Sequence, residues 1–191
     1  GITSPGNARS AITVGTVNTK GTATRLDDRV APYSSRGPTW YDGYAKPDVV
    51  APGHNLLSVA AEGSTLRRMQ SKRGNKGNYM RLSGTSMAAG VTSGVVAVVL
   101  QANYRLTPNA LKAVLEYTSI PVFKADGERY DPLSQGTGQI QVEGAVMLAH
   151  SEAMSAACQA CTQRAIFLGA AGLLSTCHPY DIANSSRSCH V

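Results

Sequence analysis

The segment Leu82–Tyr104, LSGTSMAAGVTSGVVAVVLQANY, decides the fold of this chain. From Ser86 onward it has small and apolar residues on every side of a helix, and it contains no proline and no charged residue. A helix that is apolar all round is a buried helix. The segment therefore predicts a central buried helix that begins at Ser86.

Short apolar runs on the N-terminal side of this helix predict strands. They are Ala11–Val17, Asp48–Ala51, which is closed by Pro52-Gly53, and Leu56–Ala60. Such runs, bounded by turn residues, are typical of buried strands.

Two shorter helices are predicted on the C-terminal side. Thr107 and Pro108 supply an N-cap and a first-turn proline for a helix over roughly residues 108–118. Residues 143–150 form the second, after a Gly-Thr-Gly turn. Short strands alternating with helices predict an α/β protein with a mostly parallel sheet.

Composition limits the class of protein. The chain has 191 residues and 20.0 kDa, with 42% hydrophobic and 16% charged residues, which suits one folded domain with or without a short tail. The longest apolar runs, Val95–Leu100 and Ala165–Leu174, are shorter than the roughly 20 residues of a membrane span. We therefore expect no membrane partner. The chain opens at Gly1 without an initiator Met or a leader, and we expect a fragment or a processed chain.

The net charge of +6 does not by itself indicate an anionic partner. Many of the basic residues lie in one Gly- and Asn-containing stretch, which predicts a solvated loop: Arg67, Arg68, Lys72, Arg73, Lys76 and Arg81. The stretch lacks the regular aromatic residues of a nucleic-acid platform, so no nucleic-acid partner is expected. A self-processing or partner site there stays open.

Cysteine and histidine usage divides the chain near His150. All four Cys residues follow this point, and His54 is the only His before it. We expect one domain over residues 1–149 and a tail of unknown role over 150–191. The tail contains Cys158, Cys161, Cys177 and Cys189. Three interpretations of these cysteines stay open: a zinc site, disulfides in an oxidising compartment, or no functional cysteine chemistry. The run Ala165–Leu174 could instead dock on the sheet as a helix.

The candidate chemistry centres on Gly84, Thr85 and Ser86. A serine in the first turn of a buried helix places its Oγ and backbone N–H at the positive end of the helix dipole, where an oxyanion is stabilised. Gly84 would let a substrate backbone approach closely. The alternative is that Ser86 is simply a helix cap, a common position for serine.

Four motifs in order resemble the subtilisin-like serine peptidases, or subtilases. They are GTSMA at 84–88, YSSRGP at 33–38, KPDVVAPG at 46–53 and GTGQI at 136–140. The resemblance covers roughly residues 5–149. It implies peptide-bond hydrolysis of a polypeptide substrate through an acyl-enzyme, with Ser86 as the nucleophile and Gly84, Thr85 and Ser86 as oxyanion and substrate-binding residues.

The resemblance also implies that essential residues are missing. The family's Asp and His motifs, and the Asn of its oxyanion hole, would lie N-terminal to Gly1. The chain is then the C-terminal half of a catalytic domain, inactive and poorly soluble alone, with the missing N-terminal half as its partner. A replacement triad of Asp48, His54 and Ser86 occurs in the right order, but Asp48 belongs to a structural motif and nothing enforces an Asp–His hydrogen bond.

Two other functions stay open. The scaffold could be a non-catalytic binding or structural derivative, or the Cys- and His-containing tail could be the functional part. Calcium and secretion are implied only by the resemblance, since no carboxylate cluster specifies a metal site, and no other cofactor is expected. Two residues depart from the family pattern: Gly90 replaces a proline, and Gln141 replaces a better helix cap.

Overall fold

A computed structural model describes residues 1–72 and 77–151. The predictions for Cys158, Cys161, Cys177, Cys189 and Ala165–Leu174 lie outside these residues. The division of the chain near His150 stays a prediction.

The described residues form five short strands and five helices. The strands are β1 (Val14–Asn18), β2 (Arg29–Val30), β3 (Val49–Pro52), β4 (Leu56–Val59) and β5 (Tyr79–Leu82). The helices are α1 (Thr65–Lys72), α2 (Thr85–Ala102), α3 (Pro108–Tyr117), α4 (Pro132–Gln135) and α5 (Val142–His150).

The strands form two separate sheets. The first has the order β2-β1-β3, in which β1 and β3 are parallel from Val14 opposite Val49 to Val17 opposite Pro52, while β1 and β2 are antiparallel. The second consists of β4 and β5, which pair antiparallel. The α/β class is confirmed, but the mostly parallel sheet is not, because the described strands contain one parallel pair and two antiparallel pairs. The strands β4 and β5 pair antiparallel although residues 60–78, which include α1, connect them. A short apolar run does not by itself indicate the direction in which its strand pairs.

Helix α2 packs with one side on β1, β3 and α5. Its buried residues follow helical spacing and form one stripe: Ala88, Thr92, Val95 and Val99. The opposite side, which we call the open face, is exposed and consists mostly of small residues: Ala89, Gly90, Ser93, Gly94, Ala97, Val98 and Gln101. The predicted burial on every side is therefore not found, because the described residues cover one side only. The helix begins one residue earlier than predicted, at Thr85.

Helix α2 is also long and apolar enough to cross a membrane by length and composition. The core helix of a protein that does not enter a membrane passes the same test. Its buried stripe on a sheet and on a second helix favours the core interpretation here.

Helices α3 and α5 complete the core around α2. The Thr107 side chain caps α3 by accepting from the Ala110 N–H at 3.2 Å, as the sequence predicts. Gln141 was expected to be a weak cap, yet its side chain accepts from the Glu143 N–H at 2.9 Å and caps α5. The Asn103 amide donates to the Ala149 carbonyl at 3.0 Å, which ties the end of α5 to the end of α2.

The basic stretch was predicted to be a solvated loop, but part of it forms regular secondary structure. Its first part forms α1 and its last part forms β5, and the Arg67 guanidinium reaches across to the Asn78 side chain at 3.0 Å. The sequence signal was weak because β5 has only four residues, and its pairing with β4 decides its conformation.

A buried charged cluster joins the first sheet to α3. The Asp48 carboxylate contacts the ammonium groups of Lys46 and Lys112, each at 2.7 Å, and accepts from the Thr13 N–H at 2.6 Å. Lys46 also donates to the Ala11 carbonyl at 2.9 Å. Burial lowers the pKa of Lys46, while Asp48 counteracts that shift. Asp48 thus has a structural role, as the sequence indicated.

Candidate active site

The end of β3 is held tightly against the start of α2. The Gly84 N–H donates to the Gly53 carbonyl at 2.9 Å. A Cβ atom on Gly53 would lie 2.8 Å from both the Ala88 Cβ and the Gly84 carbonyl oxygen, so only glycine fits there without movement. This close approach sets the position of the first turn of α2 relative to the sheet.

A second contact joins the same two segments. The Asn55 N–H donates to the Ser83 Oγ at 2.8 Å, and Asn55 has a positive φ of 56°. Arg81 of β5 donates from Nη1 to the Asn55 carbonyl at 2.9 Å. The turn over residues 53–55 is therefore anchored at both ends to the residues that precede Ser86.

Ser86 lies exposed in the first turn of α2. Gly84 occupies the N-cap position, and its carbonyl accepts from the N–H groups of Met87 and Ala88 at 3.1 and 3.3 Å. The amides of Thr85 and Ser86 come before these bonded donors, at the positive end of the helix. Ser86 is therefore not the N-cap residue of α2, which disfavours the simple capping interpretation.

Gly84 is not required by packing within the described residues. A Cβ atom there would meet the Met87 sulfur at 3.5 Å and the Ser86 nitrogen at 3.8 Å, both ordinary contacts. The contrast with Gly53 is clear, since Gly53 has no room for a side chain. A side chain larger than that of glycine would therefore fit at Gly84 without displacing its neighbours among the described residues.

The structure does not assemble the replacement triad. Both carboxylate oxygens of Asp48 are occupied by lysine ammonium groups. The Nδ1 atom of His54 lies 3.0 Å from the Tyr33 Oη instead, and the two rings stack with centroids 5.9 Å apart. Asp48 therefore does not orient His54, in agreement with the sequence analysis.

Sequence reasoning missed Tyr33, Ser83 and Arg81 as neighbours of the candidate site. Tyr33 lies within the YSSRGP motif, so its position could have been suspected. The contacts of Ser83 and Arg81 with Asn55 join residues more than 25 positions apart, and no local pattern indicates them.

No metal site emerges from the part of the chain that the structure describes. Within residues 1–72 and 77–151, no group of three or more His, Cys, Asp or Glu side chains could hold a metal ion. The calcium implied by the family resemblance remains an untested expectation.

An exposed serine at the amide end of a core helix places a hydroxyl next to donors that can stabilise an oxyanion. Residues 1–145 match the sequence profile of the subtilase family, so the chain belongs to this family.

Relatives and solved structures agree with this assignment. Serine protease AprX of Bacillus subtilis is 39% identical over 145 residues, which are 76% of this chain and 31% of AprX. Minor extracellular protease Vpr of the same organism is 32% identical over 121 residues, 63% of this chain and 14% of Vpr. The crystal structure of fervidolysin from Fervidobacterium pennivorans, a keratinolytic enzyme related to subtilisin, superimposes with a TM-score of 0.55 at 31% identity, covering 75% of this chain and 20% of fervidolysin. The chain thus spans a third or less of the length of each.

Proposed function

We propose that this chain carries the nucleophile of a serine-type endopeptidase, which hydrolyses peptide bonds through an acyl-enzyme on Ser86. The observation that carries the proposal is the exposed Ser86 beside the amides of Thr85 and Ser86, with no close packing against Gly84. Those amides can donate to the oxyanion of a tetrahedral intermediate.

The nucleophile needs a base that the described residues do not bring to it. Asp48 is neutralised by Lys46 and Lys112, and His54 is paired with Tyr33 through Nδ1. A serine hydroxyl without a base is a poor nucleophile at neutral pH. We propose that the base, its Asp partner and a further oxyanion donor come from an upstream half of the catalytic domain.

The open face of α2 supports this requirement. A helix in the core of a layered domain is covered on both sides, whereas the described residues cover α2 on one. Small residues such as Gly90 and Gly94 let another backbone approach closely, and no heavy atom of the described residues lies within 4 Å of a Cβ built on either. We propose that the upstream half covers the open face.

The substrate class we propose is polypeptide, and the location we propose is outside the cell. The name of the relative Vpr, a minor extracellular protease, supports the second part. Calcium would be an accessory of the whole domain and takes no part in the chemistry proposed for Ser86.

The test compares the 191-residue chain alone with a complemented protein, which is the same chain co-produced with the upstream half of the AprX catalytic domain. Each is exposed to a fluorophosphonate, and intact mass is measured beside a Ser86→Ala control. We expect an adduct and casein hydrolysis only in the complemented protein, and both lost in the control.

Other outcomes would change the assignment. An adduct on Ser86 of the chain alone would place a base within these residues, and His54 would then be substituted first. A well-folded complemented protein with no adduct would favour a non-catalytic derivative of the scaffold. A sharp cooperative melt of the chain alone, as a monomer, would argue against its dependence on an upstream half.

A further inference from the structure

Two nitrogen-bearing side chains lie close to the segment that leads into Ser86, namely His54 in the turn over residues 53–55 and Arg81, which donates to that turn. The anchors described above fix Gly53 to Gly84 and Asn55 to Ser83, at 2.9 and 2.8 Å. His54 lies between these two anchors. Both residues that flank His54 therefore contact the segment that leads directly into Ser86, and these contacts hold the backbone of His54 in place.

The imidazole of His54 is oriented by Tyr33. Their hydrogen bond of 3.0 Å engages Nδ1, and the stacked rings restrict rotation of the imidazole. When the Tyr33 hydroxyl donates to Nδ1, the neutral imidazole carries its proton on Nε2. Nε2–H is then a donor that no hydrogen bond among the described residues uses.

The guanidinium of Arg81 is attached to the same turn. Its Nη1 donates to the Asn55 carbonyl at 2.9 Å, which leaves the other N–H groups of the fork available. Arg81 is exposed, and the ion pairs of the described residues do not include it. Asp48, the buried carboxylate nearest in sequence to the turn, is already matched by two lysines.

An imidazole donor on this turn and a guanidinium fork that donates to the same turn suit a carboxylate. We propose that His54 and Arg81 form a specificity-determining pair that selects polypeptides with an acidic side chain close to the bond attacked by Ser86. This rests on the proposed function. Tyr33 is a positioning residue, because it acts on the substrate only through the imidazole of His54.

The test measures substrate preference in the complemented protein. A set of peptides carries Glu, Gln or Lys at one position, and that position is varied over the three residues on each side of the cleaved bond. The values of kcat/KM are then compared among the three side chains at each position. We expect Glu over Gln by about tenfold at one position, the size of a charge-assisted hydrogen bond. Raising the salt concentration from 0.05 M to 0.5 M should reduce the ratio of kcat/KM for Glu over Gln. Dissolved salt at the higher concentration screens the interaction between exposed charges over about 10 Å or less.

Three variants assign the preference to residues. Arg81→Gln should lower the Glu/Gln ratio towards one, and His54→Asn should lower it in part. Tyr33→Phe keeps the ring but loses the hydrogen bond to His54, so the KM should rise more for the Glu peptide than for the Gln peptide. The matched control is Arg105→Gln, an exposed arginine beside Tyr104 and outside the candidate site, which should leave the ratio unchanged.

Fluorophosphonate labelling of Ser86 separates the two proposals. Normal labelling with equal rates for Glu and Gln, or with a preference for Lys, would overturn the role of His54 and Arg81 and leave the peptidase function standing. Absence of labelling in the unsubstituted complemented protein would overturn the proposed function itself. An Arg81→Gln variant that is labelled normally is folded at the site, so a loss of preference in it cannot be attributed to unfolding.

Discussion

The two sides of α2 differ sharply, although one continuous apolar sequence supplies both. On the buried side, Val95 and Val99 contact the sheet and the other helices, and Val99 is fully buried. On the open face, the adjacent Val98 keeps 45% of its surface exposed. Neighbouring valines with the same chemistry thus have opposite environments.

Residues 1–72 and 77–151 therefore build a core on one side of α2 and leave the other side uncovered. Apolar residues on an exposed helix face have no stabilising partner, while the same residues on the other face contribute through burial. If an upstream half covers the open face, substitutions on the two sides of α2 should have different effects on stability in the isolated chain. Their effects should become similar in the complemented protein.

The largest effect is expected at the charged cluster that joins the first sheet to α3. Asp48→Asn leaves the ammonium groups of Lys46 and Lys112 buried without their carboxylate. Breaking a buried ion pair by removing one partner costs about 3–5 kcal/mol. Urea unfolding of the complemented protein should show this loss, while Glu62→Gln, at an exposed carboxylate, should change little. A loss below about 1 kcal/mol would mean that the cluster does not hold β3 to α3.

The adjacent valines test the comparison most directly. Val99→Ala should lower the free energy of unfolding by about 2 kcal/mol, since it removes two buried methyl groups and leaves a cavity. In the isolated chain, Val98→Ala should change the opening free energy of the α2 amides, measured by hydrogen exchange, by less than about 0.5 kcal/mol, as for other surface substitutions. In the complemented protein the cost of Val98→Ala should rise towards that of Val99→Ala. If it stays near zero in both, the open face is not covered by the upstream half.

Gly94→Ala should act in opposite directions in the two proteins. In the isolated chain it should stabilise α2 by about 1 kcal/mol, because alanine favours a helix and a Cβ there meets nothing. In the complemented protein the added methyl would intrude on the covered face and reduce fluorophosphonate labelling of Ser86. Ser93→Ala, which removes an atom from the same face, is the control and should leave labelling intact. Equal stabilisation in both proteins would argue against a close contact at this face.

The smallest effect concerns pH. Burial raises the pKa of Glu116 to about 7, while Lys112, 4.0 Å away, and Lys46 lower it and Asp48 raises it. Below the ordinary glutamate pKa of about 4.3 the side chain is protonated in both states, so no penalty applies. As the pH rises towards 7, the unfolded state ionises first, and stability is lost.

The loss should be below about 1 kcal/mol, because 33% of the Glu116 side chain remains exposed to solvent. The measurement compares the free energy of unfolding of the complemented protein with that of its Glu116→Gln variant, from pH 4 to pH 8. A difference that stays constant over this range would show that the pKa of Glu116 is not raised.

Much of the fold could be predicted from local patterns. The run Asp48–Ala51 indicated β3, and Thr107-Pro108 with the spacing of Leu111, Val114 and Leu115 indicated α3 within a residue of its observed bounds. The four-residue strand β5 could not be predicted in this way, since its pairing with β4 across α1 stabilises it.

The candidate site divides similarly. Ser86 and Gly84 were found from one contiguous motif, because a helix start places its amides and its first side chains together. The Tyr33–His54 pair and the contact of Arg81 with Asn55 depend on segments that are separate in sequence and meet only in the folded chain.

The sequence by itself determined the family, the position of the candidate nucleophile and the expectation of a core helix, because each depends on residues close together along the chain. Only the tertiary structure decided which side of α2 is covered, which partners occupy Asp48 and which residues hold the turn over residues 53–55 against the start of α2. Burial and long-range hydrogen bonds depend on how distant segments pack, and one periodic apolar sequence is compatible with a covered or an open face.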